Sequence, residues 1–272
     1  MNRIVITGMG VVAPNGVGIQ SFNQAIKAGA SGLKFQQELA KIGFRCTVAG
    51  IPKLELTDIE RLPRQLRNRV MSDHLLYGLL AADEAWRDAG LTINENTDFD
   101  SASLMGQTCS NLDLVEILID KINQNSVREL PARIVEQTIA SALTSYVSGY
   151  LGLGGAFSNS SACATGTESI LNAYHKIRNN EFSRIIVGSC EGSTPFLWGG
   201  FDKIRALNSN FNSEPEMASR PMDIDSNGFI PAAGAGALVL ESLSSAVKRD
   251  AKIYGEIAGG YINGGGQRAG GT

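Results

Sequence analysis

Short β-branched runs alternate with stretches of helical periodicity along almost the whole chain, and this alternation limits the possible folds more than any other feature. Arg3–Thr7, Ser103–Met105, Phe157–Ala162, Arg184–Cys190, Ala235–Leu240 and Ile253–Ala258 read as strands. Ser21–Ala28, Arg67–Ala89, Leu112–Asn123, Ile134–Gly149, Thr167–Asn179 and Leu243–Asp250 read as helices. The longest places Val70, Leu75, Leu79, Ala82 and Trp86 at helical spacing, with Gly90 where a terminating glycine belongs. Ala140, Ser141, Ala142 and Ser145 are small enough for close packing on a sheet. The pattern predicts α/β architecture with a largely parallel sheet covered on both faces.

Composition narrows the function. Hydrophobic residues make up 43% of the 272 positions, too many for disorder, and the 31 glycines punctuate apolar runs. Lys plus Arg number 24 against 27 Asp plus Glu, a net charge of −3. That balance excludes a global nucleic-acid or membrane attractor. No run approaches the ~20 apolar residues of a membrane span. The N-terminal run Ile4–Val12 is broken by Gly8 and Gly10 and followed by Pro14, so it is no signal peptide. Cys46, Cys109, Cys163 and Cys190 contain no Cys-x-x-Cys pair, so neither a zinc site nor a disulfide framework is expected. A reducing, cytoplasmic setting is the expectation.

Three motifs carry possible chemistry. Gly8-Met9-Gly10-Val11-Val12-Ala13 fits a dinucleotide fingerprint, but Pro14, Asn15 and Gly16 break the helix that must follow it, and Glu38 is too distant to hold a ribose. A Gly-rich turn at the end of a strand is the better reading. Asp223–Gly228 matches the first half of a calcium loop, yet Gly234 stands where the bidentate glutamate is needed, so a turn held by Asp and Asn side chains is expected. The third motif is Ser160-Ser161-Ala162-Cys163-Ala164-Thr165-Gly166-Thr167. Here a strand runs into a cysteine among small residues and a helix follows at once. The turn would expose the sulfur, the helix N-terminus would favour the thiolate, and the Cys163 N–H would face an oxyanion. From the residues alone, a nucleophile and a buried inert cysteine stand about level.

Ala162–Gly166, Val5–Gly10, Gly200-Phe201, Arg205-Ala206-Leu207, Arg220–Asp223, Gly228-Phe229 and Gly234–Glu241 together make the chain resemble a β-ketoacyl-acyl-carrier-protein synthase. The likeness is to the elongating (type II) branch of the thiolase superfamily, and it follows the family's order throughout. It implies a thiolase-like, layered αβαβα fold cut short in its second half, with residues 1–250 as the nucleophile-bearing half and 251–272 opening the next. It implies that Cys163 takes an acyl chain from the phosphopantetheine of acyl carrier protein. Malonyl-carrier is then decarboxylated, and its carbanion attacks the thioester to give a 3-ketoacyl product. No metal and no nucleotide cofactor enter, and homodimers form across the strand before the nucleophile.

The same resemblance calls for two histidines, a lysine and a second oxyanion N–H that no position here matches. Only His74 and His175 are present, and both read as surface or helix-packing residues. The 272 residues alone are therefore expected to be inactive in condensation. A non-catalytic carrier-binding half-protein, and a starter decarboxylase or thiolase-type enzyme, are the alternatives. The family's Gly-Pro before the nucleophile strand is replaced by Gly155-Ala156, and its bulky aliphatic acyl gate by Cys109. A smaller gate implies a deeper pocket for long or rigid, polyene-like chains, with Trp198 and Phe201 as candidate lining residues. Arg61, Arg64, Arg67 and Arg69 cluster at the start of the longest helix. As residues they read first as a solvated face; by resemblance Arg64, Arg67 and Arg69 would dock the acidic carrier.

Overall fold

The computed structural model describes residues 2–93, 95–109 and 111–264. The glycine-rich stretch from Gly265 to Thr272, the end of the expected second-half opening, lies outside the described residues. Strand β1 (Ile4–Ala13) runs on through Gly8 and Gly10, so the turn expected there is absent. The reason is packing. A Cβ on Gly8 would stand 2.1 Å from the Ala85 carbonyl oxygen, and one on Gly10 would stand 2.0 Å from that of Ala81. The glycines let a helix backbone lie directly on the strand.

Strand β2 (Gly16–Val17) folds back on β1 and leads into α1 (Ile19–Lys27). β3 (Leu33–Phe35), α2 (Gln37–Lys41) and β4 (Val48–Gly50) form a small separate unit whose strands pair with each other. The helix expected over Arg67–Ala89 is divided. α3 (Leu56–Ile59) and α4 (Arg64–Arg67) are single turns, and α5 (Asp73–Asp88) starts only after Ser72. Ser72 is extended, with φ −132 and ψ 150, and its hydroxyl accepts the Leu75 N–H, so it caps the helix and stops it growing backwards.

β5 (Asp98–Gln107) and α6 (Leu112–Asn123) come next. The helix expected over Ile134–Gly149 is also two, α7 (Ile134–Thr138) and α8 (Ala142–Leu151). The break occurs where the Gln107 amide donates to the carbonyls of Ile139 (3.4 Å) and Ala140 (3.2 Å). β6 (Leu153–Phe157), α9 (Thr165–Arg178), β7 (Arg184–Glu191), α10 (Pro195–Lys203), β8 (Gly234–Ser242), α11 (Leu243–Lys248) and β9 (Gly255–Glu256) complete the order. The strand expected over Phe157–Ala162 thus ends at Phe157, leaving residues 158–164 as a loop. The strand expected over Ile253–Ala258 shrinks to the two residues of β9.

The main sheet runs β2-β1-β8-β7-β5-β6, with β9 also on β1. It is mixed rather than largely parallel. β5 pairs parallel with β6 and β7, while β1 with β2, β8 and β9, and β7 with β8, are antiparallel. Gly234 opens β8 directly opposite Glu191, where β7 ends, so β8 must return in the opposite sense. Side chains alternate between two cores, as strand pleat requires. Met105, Ile186 and Val239 join α5 and α8 on one face, whereas Leu104, Ile185, Val187 and Leu240 join Ala173, Tyr174 and Ile177 of α9 on the other. The described residues therefore form three layers, helix, sheet and helix.

Candidate active site

The parallel strands β5 and β7 end side by side, and the chain leaves β5 towards α8 on one face but β6 towards α9 on the other. Ligands of α/β sheets settle where connections diverge in this way. The loop 158–164 crosses that point and carries Cys163, which is exposed. Ala162 just before it takes a left-handed conformation, φ 48, and Thr165 opens α9 just after it. Cys163 is thus exposed beside a helix start rather than buried.

Buried hydroxyls and glycines hold this loop. Thr165 Oγ1 accepts the Ser161 N–H at 2.9 Å and donates to the Ala162 carbonyl at 2.7 Å. Asn159 Nδ2 donates to the Thr165 carbonyl at 3.0 Å and its Oδ1 accepts Ser169 Oγ–H at 2.7 Å. A Cβ on Gly106 would lie 2.3 Å from Thr165 Cγ2, and one on Gly166 would lie 2.9 Å from Ser189 Oγ. The helix start approaches β5 and β7 this closely because neither position carries a side chain.

Cys109 lies on the neighbouring loop after β5. Thr108 joins the two loops: its Oγ1 donates to the Ala162 carbonyl at 3.4 Å, and its own carbonyl accepts Ser160 Oγ–H at 3.3 Å. Its N–H donates to Glu191 Oε1 at 2.6 Å. Partial burial, aided by the Glu191 carboxylate, pushes the Cys109 thiol up. Behind this loop lies a polar network that sequence reading missed. His74, buried on α5, meets Gln107 Oε1 through Nε2 at 2.6 Å, and burial pulls its pKa down. Since Gln107 Oε1 can only accept, that ring nitrogen carries the proton. Asn111 accepts Ser72 Oγ–H at 2.6 Å and donates to the Gln137 carbonyl, while Gln137 Nε2 donates to the Arg69 carbonyl at 2.7 Å. Thr194 Oγ1 donates to Asp113 at 2.9 Å, and burial pushes that carboxyl up despite the bond.

The remaining candidates stand on other elements. Trp198 is buried on α10 against Leu39 and Ala49, and Phe201 packs with Cys46, Val48 and Leu207, edge-to-face on Phe229 at 5.1 Å. Both join α10 to the β3–β4 unit. Arg64 and Arg69 are exposed; Arg67 is half-buried, with its Nε inside the protein. Among the described residues none of Arg61, Arg64, Arg67 and Arg69 forms a salt bridge. His175 is exposed ten residues into α9 from Thr165, roughly 15 Å along the helix, and cannot act on Cys163. The Asp223 segment is a side-chain-held turn as expected: Asp223 accepts the Asp225 N–H at 2.8 Å and Arg220 at 3.2 Å, which hold its carboxyl below the usual range. No helix among the described residues is long and apolar enough to cross a membrane.

Comparison with known proteins agrees with this geometry. Residues 1–246 match the family model of the β-ketoacyl synthase N-terminal domain. The chain is 33% identical over 264 residues to a 3-oxoacyl-[acyl-carrier-protein] synthase 2 of Vibrio cholerae, covering 96% of this chain and 63% of that protein. It is 31% identical to a 3-oxoacyl-[acyl-carrier-protein] synthase 1 of Escherichia coli, covering 95% and 64%. Among solved structures it matches a β-ketoacyl synthase from Burkholderia phymatum at TM-score 0.86 and 26% identity, over 94% and 63% of the two chains. A type II polyketide ketosynthase in complex with its acyl-carrier protein matches at TM-score 0.82 and 26% identity, over 94% and 62%. The chain thus spans a little under two thirds of the length of these relatives. Its fold is the thiolase-like one of the ketosynthases, and the chain belongs to the β-ketoacyl synthase family through that family's N-terminal domain.

Proposed function

We propose that this chain is the nucleophile-bearing part of a condensing enzyme of fatty-acid or polyketide synthesis. Cys163 accepts an acyl chain from the phosphopantetheine thiol of acyl carrier protein, and the resulting thioester is attacked by the carbanion of decarboxylated malonyl-carrier. The product is 3-ketoacyl-carrier. One observation carries the reading: an exposed cysteine thiol placed by a left-handed residue at the mouth of a 14-residue helix, over the ends of two parallel strands. The family's names, and a relative solved with its carrier, support the carrier as donor.

The proposal has further parts. The acyl chain runs past Cys109, with Trp198 and Phe201 backing the walls through α10. Arg64, Arg67 and Arg69 meet the acidic carrier. No metal or nucleotide cofactor takes part, and the setting is cytoplasmic. β6 lies at the sheet edge, and pairing of two such edges makes the homodimer. Residues 1–250 form the first half of the architecture and 251–272 open the second; the family match ending at residue 246 supports that boundary.

The test is intact-protein mass spectrometry after incubation with octanoyl-acyl carrier protein. One octanoyl group is expected on Cys163, and none in Cys163→Ala. Cys46 and Cys190 are buried, and burial pushes their thiols up, so they compete poorly. An adduct that persists in Cys163→Ala would remove the assignment.

A further inference from the structure

The amide linking Ala162 to Cys163 is gripped at its carbonyl end. Three donors converge on the Ala162 oxygen: Thr165 Oγ1 at 2.7 Å, the Thr165 N–H at 3.1 Å and Thr108 Oγ1 at 3.4 Å. Thr165 is 2% exposed, and its hydroxyl has no freedom left. Its one hydrogen is given to Ala162, and a lone pair receives the Ser161 N–H at 2.9 Å. That single hydroxyl therefore clamps two peptide groups, Ser160–Ser161 and Ala162–Cys163, around Ala162, whose φ of 48 is costly for a residue with a Cβ.

A trans amide is planar, so its N–H points opposite to its C=O. With the oxygen drawn inwards to Thr165, the Cys163 N–H is turned outwards, to the exposed side on which the thiol opens. Rotation of this amide would present a carbonyl oxygen where an oxyanion must form. We infer that Thr165 is the positioning residue of the reaction: it locks the Ala162–Cys163 amide so that the Cys163 N–H can receive the oxyanion of acyl transfer, with Thr108 as a second tether. The inference rests on the thioester reading above. In that step the Cys163 sulfur bonds to the carbonyl carbon and the C=O electron pair moves onto oxygen. Collapse of the adduct then breaks the bond to the donor sulfur, which leaves with the proton from Cys163. Thr165 exchanges no proton with the substrate.

The experiment compares two reactions of the same sulfur in the full-length protein. Acylation by octanoyl-N-acetylcysteamine passes through an oxyanion; alkylation by iodoacetamide displaces iodide at a saturated carbon and forms none. Thr165→Val keeps the shape and removes the hydroxyl. It should slow acylation by about 10²-fold, the scale of losing one oxyanion donor, and leave alkylation within twofold. Thr165→Ser should restore acylation to near the parent rate. Thr108→Val, which removes only the longer contact, should give a smaller loss of the same kind. It still decides the matter if Thr165→Val does not fold. Equal acylation in parent and variants overturns the inference, as does a parallel loss of both reactions, which would mean that Thr165 merely places the sulfur. A parent protein alkylated but never acylated at Cys163 overturns the thioester reading, and this inference with it.

Discussion

Cys109, in the proposed function, is a side chain that sets specificity without touching the chemistry. It sits next to Thr108, whose hydroxyl donates to the carbonyl just before Cys163, so the two loops are tied together. If the acyl chain runs past Cys109 as proposed, a ring at this position fills the space beside it. Cys109→Phe is expected to leave acylation by short donors nearly intact and to cut acylation by the longest donors by about 10- to 100-fold, the scale on which a pocket discriminates by size. Mass spectrometry of Cys163 across donors of graded length checks this. An unchanged length profile would show that the chain does not pass Cys109.

The elements around the site are short because side chains end them. Ser72 caps α5, and Gln107 takes the carbonyls of Ile139 and Ala140 where α7 and α8 separate. The break before α5 matters for the arginines. Arg64, Arg67 and Arg69 lie on the single turn of α4 and the link after it, and this segment is fastened to Asn111, beyond the end of β5, through the Arg69 carbonyl and Gln137. A carrier docked there as proposed would contact a segment bonded to Asn111, two residues from Cys109. Arg64→Glu combined with Arg69→Glu, both exposed positions, should weaken binding of acyl carrier protein by about tenfold at low salt, with the difference shrinking as salt screens the charges. Titration at two ionic strengths measures it, and an affinity that does not change would leave these arginines as a solvated face.

The whole molecule is tied together far from the site by Glu241, which has no exposed surface. Its carboxylate meets Arg249 at 2.6 Å and Arg184 at 3.3 Å, and accepts Ser245 Oγ–H at 2.7 Å, so it joins β7, β8 and α11. Arg249 also donates to the Ala89 carbonyl at 2.6 Å, reaching the end of α5. Burial alone would push the carboxyl up, but the Arg249 and Ser245 bonds and the charge of Arg184 hold it below its ordinary value. A carboxylate lowered on folding stabilises the protein fully above its unfolded value of about 4.3 and loses that contribution as pH falls through the folded value. Arg249→Met leaves a buried charge half-paired and should cost about 3–5 kcal/mol. Urea unfolding at pH 7 measures that cost. The variant should also lose less stability between pH 5 and pH 3 than the parent does. An equal acid response in both proteins would show that Glu241 is not held down by this pair.

The alternation of strands and helices gave the α/β class, and the resemblance carried by short motifs gave the family and made Cys163 the candidate, because local periodicity and short motifs are written in consecutive residues. Tertiary structure decided what depends on distant partners. Gly8 and Gly10 belong inside a strand because a helix lies on them. Two helices break where Ser72 and Gln107 satisfy their backbone, and the sheet is mixed because β8 begins opposite the end of β7. The clamp of Thr165 and Thr108 on one peptide could not be read from the chain, since a hydrogen bond between residues 54 positions apart follows from packing and leaves no mark on sequence.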